Sequence, residues 1–153
     1  MRAILVIVPC GQGKIWDRDP GRGPVAAQDA YTGAPFKVNR RYAERFADQW
    51  VILSAKYGFI APQFILPGPY EVTFKRPQTN PISHQELRAQ VVETQLARFP
   101  VVIALGGKEY RAAIEAAFRG LPVELHFPFS GLPIGKAMSA TKKAVSAGDP
   151  LLR

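Results

Sequence analysis

One cysteine, Cys10, and two histidines, His84 and His126, are all that 153 residues offer of the side chains that build disulfides and most zinc centres. An internal disulfide is excluded, and structural zinc is not expected. Long apolar runs are missing too, since nothing approaches the roughly 20 residues that cross a bilayer. The run from Ala3 to Val8 is too short for the core of a secretion signal and leads into no small-residue cleavage site. The expectation is a cytoplasmic protein with no membrane partner, no metal and no cofactor. Acidic residues are scarce as well: twelve Asp and Glu face twenty Lys and Arg, for a formal charge of +8. Such a balance favours polyanionic partners through phosphate contacts and counterion release, so nucleic acid or a nucleotide is the expected partner. The excess is not a tail, because residues 1–80 carry 11 basic against 6 acidic side chains and residues 81–153 carry 9 against 6. Its densest cluster is Lys37, Arg40, Arg41 and Arg45, which reads equally well as a solvated helix face.

What is abundant is apolar surface. Hydrophobic residues make up 47% of the chain, enough for a packed core in one domain spanning 1–153. Apolar strands alternate with helical patterns in the order β-α-β-α-β-α-β-α. The strands are expected at Arg2 to Val8, Val51 to Ser54, Val101 to Leu105 and Val123 to Phe127. Helices are expected at about 38–49, where Tyr42, Phe46 and Trp50 form one stripe, and at about 83–99, opened by a Ser83/Glu86 capping box. Two more follow at about 108–118 and 133–146. Between Gly58 and Pro81 five prolines and four aromatics mark an ordered loop excursion. The economical fold is a three-layer α/β/α domain around a four-stranded, mainly parallel sheet. Oligomeric state cannot be read from this pattern.

Each strand ends abruptly in polar or glycine-rich residues. Val8 runs into Pro9-Cys10-Gly11-Gln12-Gly13-Lys14, Leu53 into Ser54-Ala55-Lys56-Tyr57-Gly58, Leu105 into Gly106-Gly107-Lys108, and Phe127 into Pro128-Phe129-Ser130-Gly131. Open α/β sheets place ligands at the carboxyl ends of their strands, so the four ends are expected to share one pocket. The first loop carries backbone amides and Lys14, suited to an anion, but its spacing is that of neither a P-loop nor a dinucleotide fingerprint. Cys10 reads either as a small apolar plug or as a thiol near the field of Lys14. Ser54 and Lys56, two apart on a strand, are expected to face the same way and hold phosphate, with Tyr57 to stack on a base. The alternative has Ser54 bonded to neighbouring backbone, Lys56 solvated and Tyr57 packed. Asp29 and Tyr31, between the first strand and its helix, are a candidate general base and a candidate stacking platform. Tyr70 and Glu71 offer a second aromatic and a second carboxylate. Ser130 and Lys136 stand at the start of the last helix, where N-terminal amides suit phosphate.

The combination of Val8-Pro9-Cys10-Gly11 through Lys14, Asp29-Ala30-Tyr31-Thr32-Gly33, Ile52 to Gly58 and Pro69-Tyr70-Glu71 resembles a family of small prokaryotic and phage proteins known as a domain of unknown function. More distantly, Val101 to Gly107 and His126-Phe127-Pro128-Phe129-Ser130-Gly131 are similar to the uracil-DNA glycosylase superfamily, which includes a domain of archaeal deazaguanine tRNA-modifying enzymes. That likeness implies a four-stranded parallel sheet between helices and a pocket for an extruded base. The superfamily's first-strand signature, glycine, any residue, then Asp-Pro-Tyr, is absent here. Its place is taken by Pro9 to Lys14, and the histidine of its closing motif is displaced to position 126.

A base-processing enzyme is therefore expected, a glycosylase-like hydrolase acting on a modified or damaged base in DNA or RNA. Asp29 or Glu71 would activate water. Cys10, Gly11, Lys14, Tyr31, Ser54, Lys56, Tyr57, Tyr70, Ser130 and Lys136 would bind substrate. The alternatives are a module that binds nucleic acid or a nucleotide without chemistry, and an N-glycosidase acting on free nucleosides or nucleotides.

Overall fold

A computed structural model describes residues 2–152. In chain order its elements are β1 (Ile4–Pro9), β2 (Val25–Ala26), α1 (Ala27–Ala30), α2 (Ala34–Phe46), β3 (Gln49–Ser54), β4 (Gly58–Ile60), β5 (Ile65–Leu66), α3 (His84–Glu93), β6 (Val101–Ala104), α4 (Lys108–Phe118), β7 (Glu124–His126) and α5 (Ile134–Ala147). The main sheet has the order β4-β3-β1-β6-β7, and β2 pairs with β5 in a separate two-stranded ribbon. The run β3-β1-β6-β7 is parallel throughout, and β4 joins β3 antiparallel.

The sheet thus has five strands where the sequence suggested four. The extra one arises because the chain does not leave the sheet after Ser54 but reverses on Ala55-Lys56-Tyr57. Ser54 Oγ accepts the amides of Lys56 at 3.2 Å and Tyr57 at 3.1 Å, which closes the turn. Gly58 completes it at φ +80°, a conformation glycine adopts without strain. Gln90 on α3 then clamps the hairpin: its amide nitrogen donates to the Tyr57 carbonyl at 2.9 Å, and its oxygen accepts the Phe59 amide at 2.8 Å.

The central strand explains the layers. Side chains alternate across a strand, so β1 sends Leu5 and Ile7 to one face and Val6 and Val8 to the other. All four are fully buried. Leu5 and Ile7 pack with Leu87 and Val91 of α3 and Ala113, Ile114 and Ala117 of α4. Val6 and Val8 pack with Ala27 and Ala30 of α1, Phe36 and Tyr42 of α2 and Ala144 of α5. Near-continuous apolar strands are what two covered faces require.

Helix boundaries shift in ways the local chemistry explains. Helix α2 begins at Ala34 because Pro35 stands in its first turn, where a missing amide hydrogen is harmless. It ends at Phe46, so Trp50 belongs to β3 rather than to the helical stripe with Tyr42 and Phe46. The helix opened by Ser83 ends at Glu93, and Gln95, at φ +56°, separates it from a short 3₁₀ turn over Leu96–Arg98.

Candidate functional site

The chain passes from β1 to β3 on one side of β1 and later returns to β6 on its other side. The connections leaving β1 and β6 therefore diverge, and a crevice opens at the carboxyl ends of those two strands. It holds a cleft of about 750 Å³, within the range of roughly 300 to 1,000 Å³ that small-molecule sites occupy. Its floor is Pro9 to Gly13 and Leu105 to Tyr110. One wall is Gly33, Pro35, Phe36 and Asn39. The opposite wall is Phe129, Leu132, Pro133, Ile134, Ala137, Met138 and Thr141, and Thr73 and Lys75 reach over from the long excursion.

Three helices begin on this cleft: Gly33, Gly107 and Pro133 precede α2, α4 and α5, and none of the three N-termini has a side-chain cap. Helix α3, which starts elsewhere, is capped by the Ser83 hydroxyl on the Glu86 amide. First-turn amides left open carry partial positive charge, so the cleft combines an apolar wall with three sources of positive field.

Cys10 lies on the floor. Tyr110 of α4 donates its phenol to the Cys10 carbonyl at 3.1 Å. With that single proton engaged, the Cys10 thiol 3.3 Å away is the donor in the second contact. Burial and the nearby Cys10 push the Tyr110 phenol well above its ordinary range, so it stays protonated.

Behind the β1 loop sits a buried polar cluster of Lys14, Tyr31, Ser54 and Tyr70. Ser54 Oγ already accepts two amides, so its own proton goes to Tyr70 Oη at 2.8 Å. Tyr70 in turn donates to Tyr31 Oη at 2.6 Å. Burial raises both phenols beyond their usual range. The Lys14 ammonium donates to the Gln12 carbonyl at 3.1 Å and lies 4.5 Å from the centre of the Tyr70 ring. Its burial lowers its pKa, against the opposing fields of Cys10, Asp17 and Glu71.

The residues singled out in the sequence separate into distinct places. Cys10 and Gly11 line the cleft. Lys14, Tyr31, Ser54 and Tyr70 gather in the cluster behind it, and Tyr31, 2% exposed and packed on Phe36, presents no ring face to a base. Ser54 ends β3 and is buried, whereas Lys56 is exposed in the turn that follows, its ammonium 5.3 Å from the centre of the Tyr57 ring and 5.8 Å from that of Tyr70. Half-buried Tyr57 packs edge-on against Tyr70 and tilted against Phe64. Ser130 accepts a 2.7 Å hydrogen bond from Arg111, and Lys136 is exposed outside the lining. Asp29 is exposed and pairs with Arg40 at 3.7 Å. Glu71 borders a separate hollow of about 320 Å³ with Val72, Arg76 and Thr79.

Sequence reasoning missed Asn39, Thr73, Lys75, Glu109 and Tyr110, all of which line the cleft. For the last two the signal was present: Gly106-Gly107-Lys108 marks a strand end, and the first turn of the following helix must lie beside it. Among the described residues no group of three or more His, Cys, Asp or Glu is placed to hold a metal ion, and no helix is long and apolar enough to cross a membrane.

Comparison with known proteins places the chain by descent. It is 40% identical over 142 residues to the "Uncharacterized protein YfjM" of Bacillus subtilis (strain 168), covering 92% of this chain and 94% of that protein. No solved structure matches it. The family of unknown function DUF6884 matches residues 5–143, nearly the whole of the elements that build the cleft, and the chain belongs to that family.

Proposed function

We propose that the protein is a base-processing enzyme, a glycosylase-like hydrolase that takes a nucleobase and its sugar into the cleft between the ends of β1 and β6. One observation carries this reading: a cleft of about 750 Å³ at the strand switch point, apolar on one side and ringed by three uncapped helix N-termini. An apolar wall that includes Phe36, Phe129, Leu132 and Met138 suits a base. Open helix N-termini, with Lys75 and Lys108 beside them, suit the flanking phosphate. The charge of +8 supports a polyanionic strand outside the cleft. The resemblance to the uracil-DNA glycosylase superfamily belongs to this proposal, and the parallel run β3-β1-β6-β7 between helix layers is what supports it.

The same ring of helix N-termini also suits a free nucleotide, which favours N-glycosidase action on small molecules as the second reading. Incubation with DNA and RNA carrying varied modified bases, and with free nucleosides and nucleotides, followed by mass spectrometry, separates the two. Release of free base from polymer supports the first reading. Release from mononucleotides alone supports the second, and binding with no released base reduces the protein to a recognition module.

A further inference from the structure

The geometry assigns the carboxylate of this cleft to Glu109, and we propose it as a catalytic residue of the reaction put forward above, on which this inference rests. Glu109 is the only acidic side chain lining the cleft among the described residues. Asp29 and Glu71, the acids that the sequence suggested, lie outside it.

The contrast with other acids is informative. Asp17 accepts the Lys14 amide, Asp48 the Ile4 amide, and Glu86 engages Ser83, while Glu115, one turn further along α4, pairs with Arg111 at 3.1 Å. Among the described residues Glu109 makes no such hydrogen bond or ion pair, and neither do Asp19, Glu71 and Glu93, but those three are exposed, whereas Glu109 alone of the acids is half-buried. Its side chain folds back over the start of α4, with Oε2 3.8 Å from where a Cβ on Gly107 would stand. It also contributes to the field that raises the Tyr110 phenol, so its charge is felt at the floor of the cleft beside Cys10. A carboxylate in the first turn of a helix has an ordinary use, which is to complement the helix dipole. That use requires no cavity in front of it.

Hydrolysis of an N-glycosidic bond is favoured by a carboxylate near C1′. Water forms a bond to C1′ while the C1′–N bond breaks, and the electron pair of that bond leaves on the base nitrogen. Glu109 accepts the proton that water loses and releases it to solvent, while the departing base takes one proton from solvent, so the carboxylate is restored and the protons balance. Positive charge that builds on the sugar ring lies against the carboxylate in the transition state.

The test uses iminoribitol nucleoside analogues, whose protonated ring nitrogen mimics that charge, against the neutral parent nucleosides, across the four common bases by calorimetry. The wild-type protein is expected to prefer the cationic ligand, and Glu109→Gln to lose about tenfold or more of that preference, as removal of a charge-assisted contact does, while neutral nucleosides bind unchanged. Glu109→Asp should retain part of the preference. Glu93→Gln, which makes the same charge change at an exposed position on α3, should retain all of it. Equal preference in Glu109→Gln and wild type overturns the assignment and leaves the cleft's nucleoside reading standing. Failure of cationic and neutral nucleosides alike to bind the folded wild-type protein, both free and placed within DNA and RNA oligonucleotides, overturns that reading, and this inference with it.

Discussion

The hydroxyl of Tyr70 lies 2.6 Å from that of Tyr31, joining two loops 39 residues apart. Because Ser54 Oγ is saturated by two amides, the protons along Ser54, Tyr70 and Tyr31 all run one way, and Tyr70 is both acceptor and donor at its centre. Tyr70→Phe removes the acceptor of Ser54 and the donor of Tyr31 together. It should lower unfolding free energy by about 1 to 3 kcal/mol, the usual consequence of stranding buried polar groups. Tyr31→Phe, at the end of the chain, should be milder, and the double variant less than additive. Urea unfolding followed by circular dichroism measures all three. A Tyr70→Phe midpoint equal to wild type would show that the chain contributes nothing to stability.

The tyrosines also set an alkaline limit. Tyr31, Tyr42, Tyr70 and Tyr110, four of the five in the chain, have phenols raised by burial above their ordinary value of 10.0. Above that pH the unfolded chain loses protons that the folded protein keeps, so stability should fall as pH rises from there. Lys14 acts in the opposite sense at lower pH. Its folded-state pKa is lowered from 10.5, so the unfolded chain binds the extra proton in that window and stability rises with pH toward 10.5. Lys14→Met should flatten the rise and leave the alkaline fall intact. Melting temperatures between pH 7 and 11, with phenolate absorbance recorded in parallel, test both limbs. Absorbance of more than one phenolate per chain well before unfolding would contradict the burial argument.

The placement of the cleft was legible because apolar strands end in glycine where chain reversal leaves room, as Val8 before Pro9 to Gly13 and Leu105 before Gly106 illustrate. The hairpin strand β4 was not, because Ser54-Ala55-Lys56-Tyr57 resembles a strand end with cargo, and the Ser54 hydroxyl that closes the turn and the Gln90 clamp from α3 act on it only in the folded chain. The partnership of Tyr70 with Ser54 and Tyr31 was hidden for a similar reason. It depends on how a 24-residue excursion from Gly58 to Pro81 returns to the sheet, which local periodicity does not encode. Glu109 was hidden differently, since an acid in the first turn of a helix carries the same signature whether it faces water or a cavity. Asp29 shows the converse: the helix α1 that carries it packs Ala27 and Ala30 into the core, but the carboxylate is exposed and pairs with Arg40.

Cys10 offers a direct report on occupancy of the cleft. It is the only cysteine, is partly exposed, and lines the floor beside Tyr110. Alkylation by iodoacetamide, followed by intact mass, should therefore give one adduct, and a saturating nucleoside or nucleotide that binds should slow it by about tenfold or more at 10 Kd, as occupancy dictates. Cys10→Ala should fold normally and give no adduct. Binding that leaves the alkylation rate untouched would place the ligand somewhere other than this cleft.

Gly106 and Gly107 differ by one position and should differ sharply in tolerance. Gly106, two residues past the end of β6, stands at φ +117°, outside the range that side chains readily adopt. A Cβ there would stand 3.1 Å from both Pro9 Cγ and Tyr110 Cβ, which are the two sides of the cleft floor. Gly106→Ala should therefore destabilise by about 1 to 3 kcal/mol through backbone strain and force Tyr110 away from Cys10. Gly107, at φ −79°, meets nothing closer than Glu109 Oε2 at 3.8 Å. Gly107→Ala should cost no more than about 1 kcal/mol, the ordinary difference between glycine and alanine at a helix N-cap. Chemical denaturation of the pair separates the cases, with Cys10 alkylation rate as a second readout, since loss of the Tyr110 contact should expose the thiol only in Gly106→Ala. Equal stability and equal alkylation in the two variants would mean that the β6 turn is not held against Pro9 and Tyr110, and that the floor of the cleft is looser than its contacts imply.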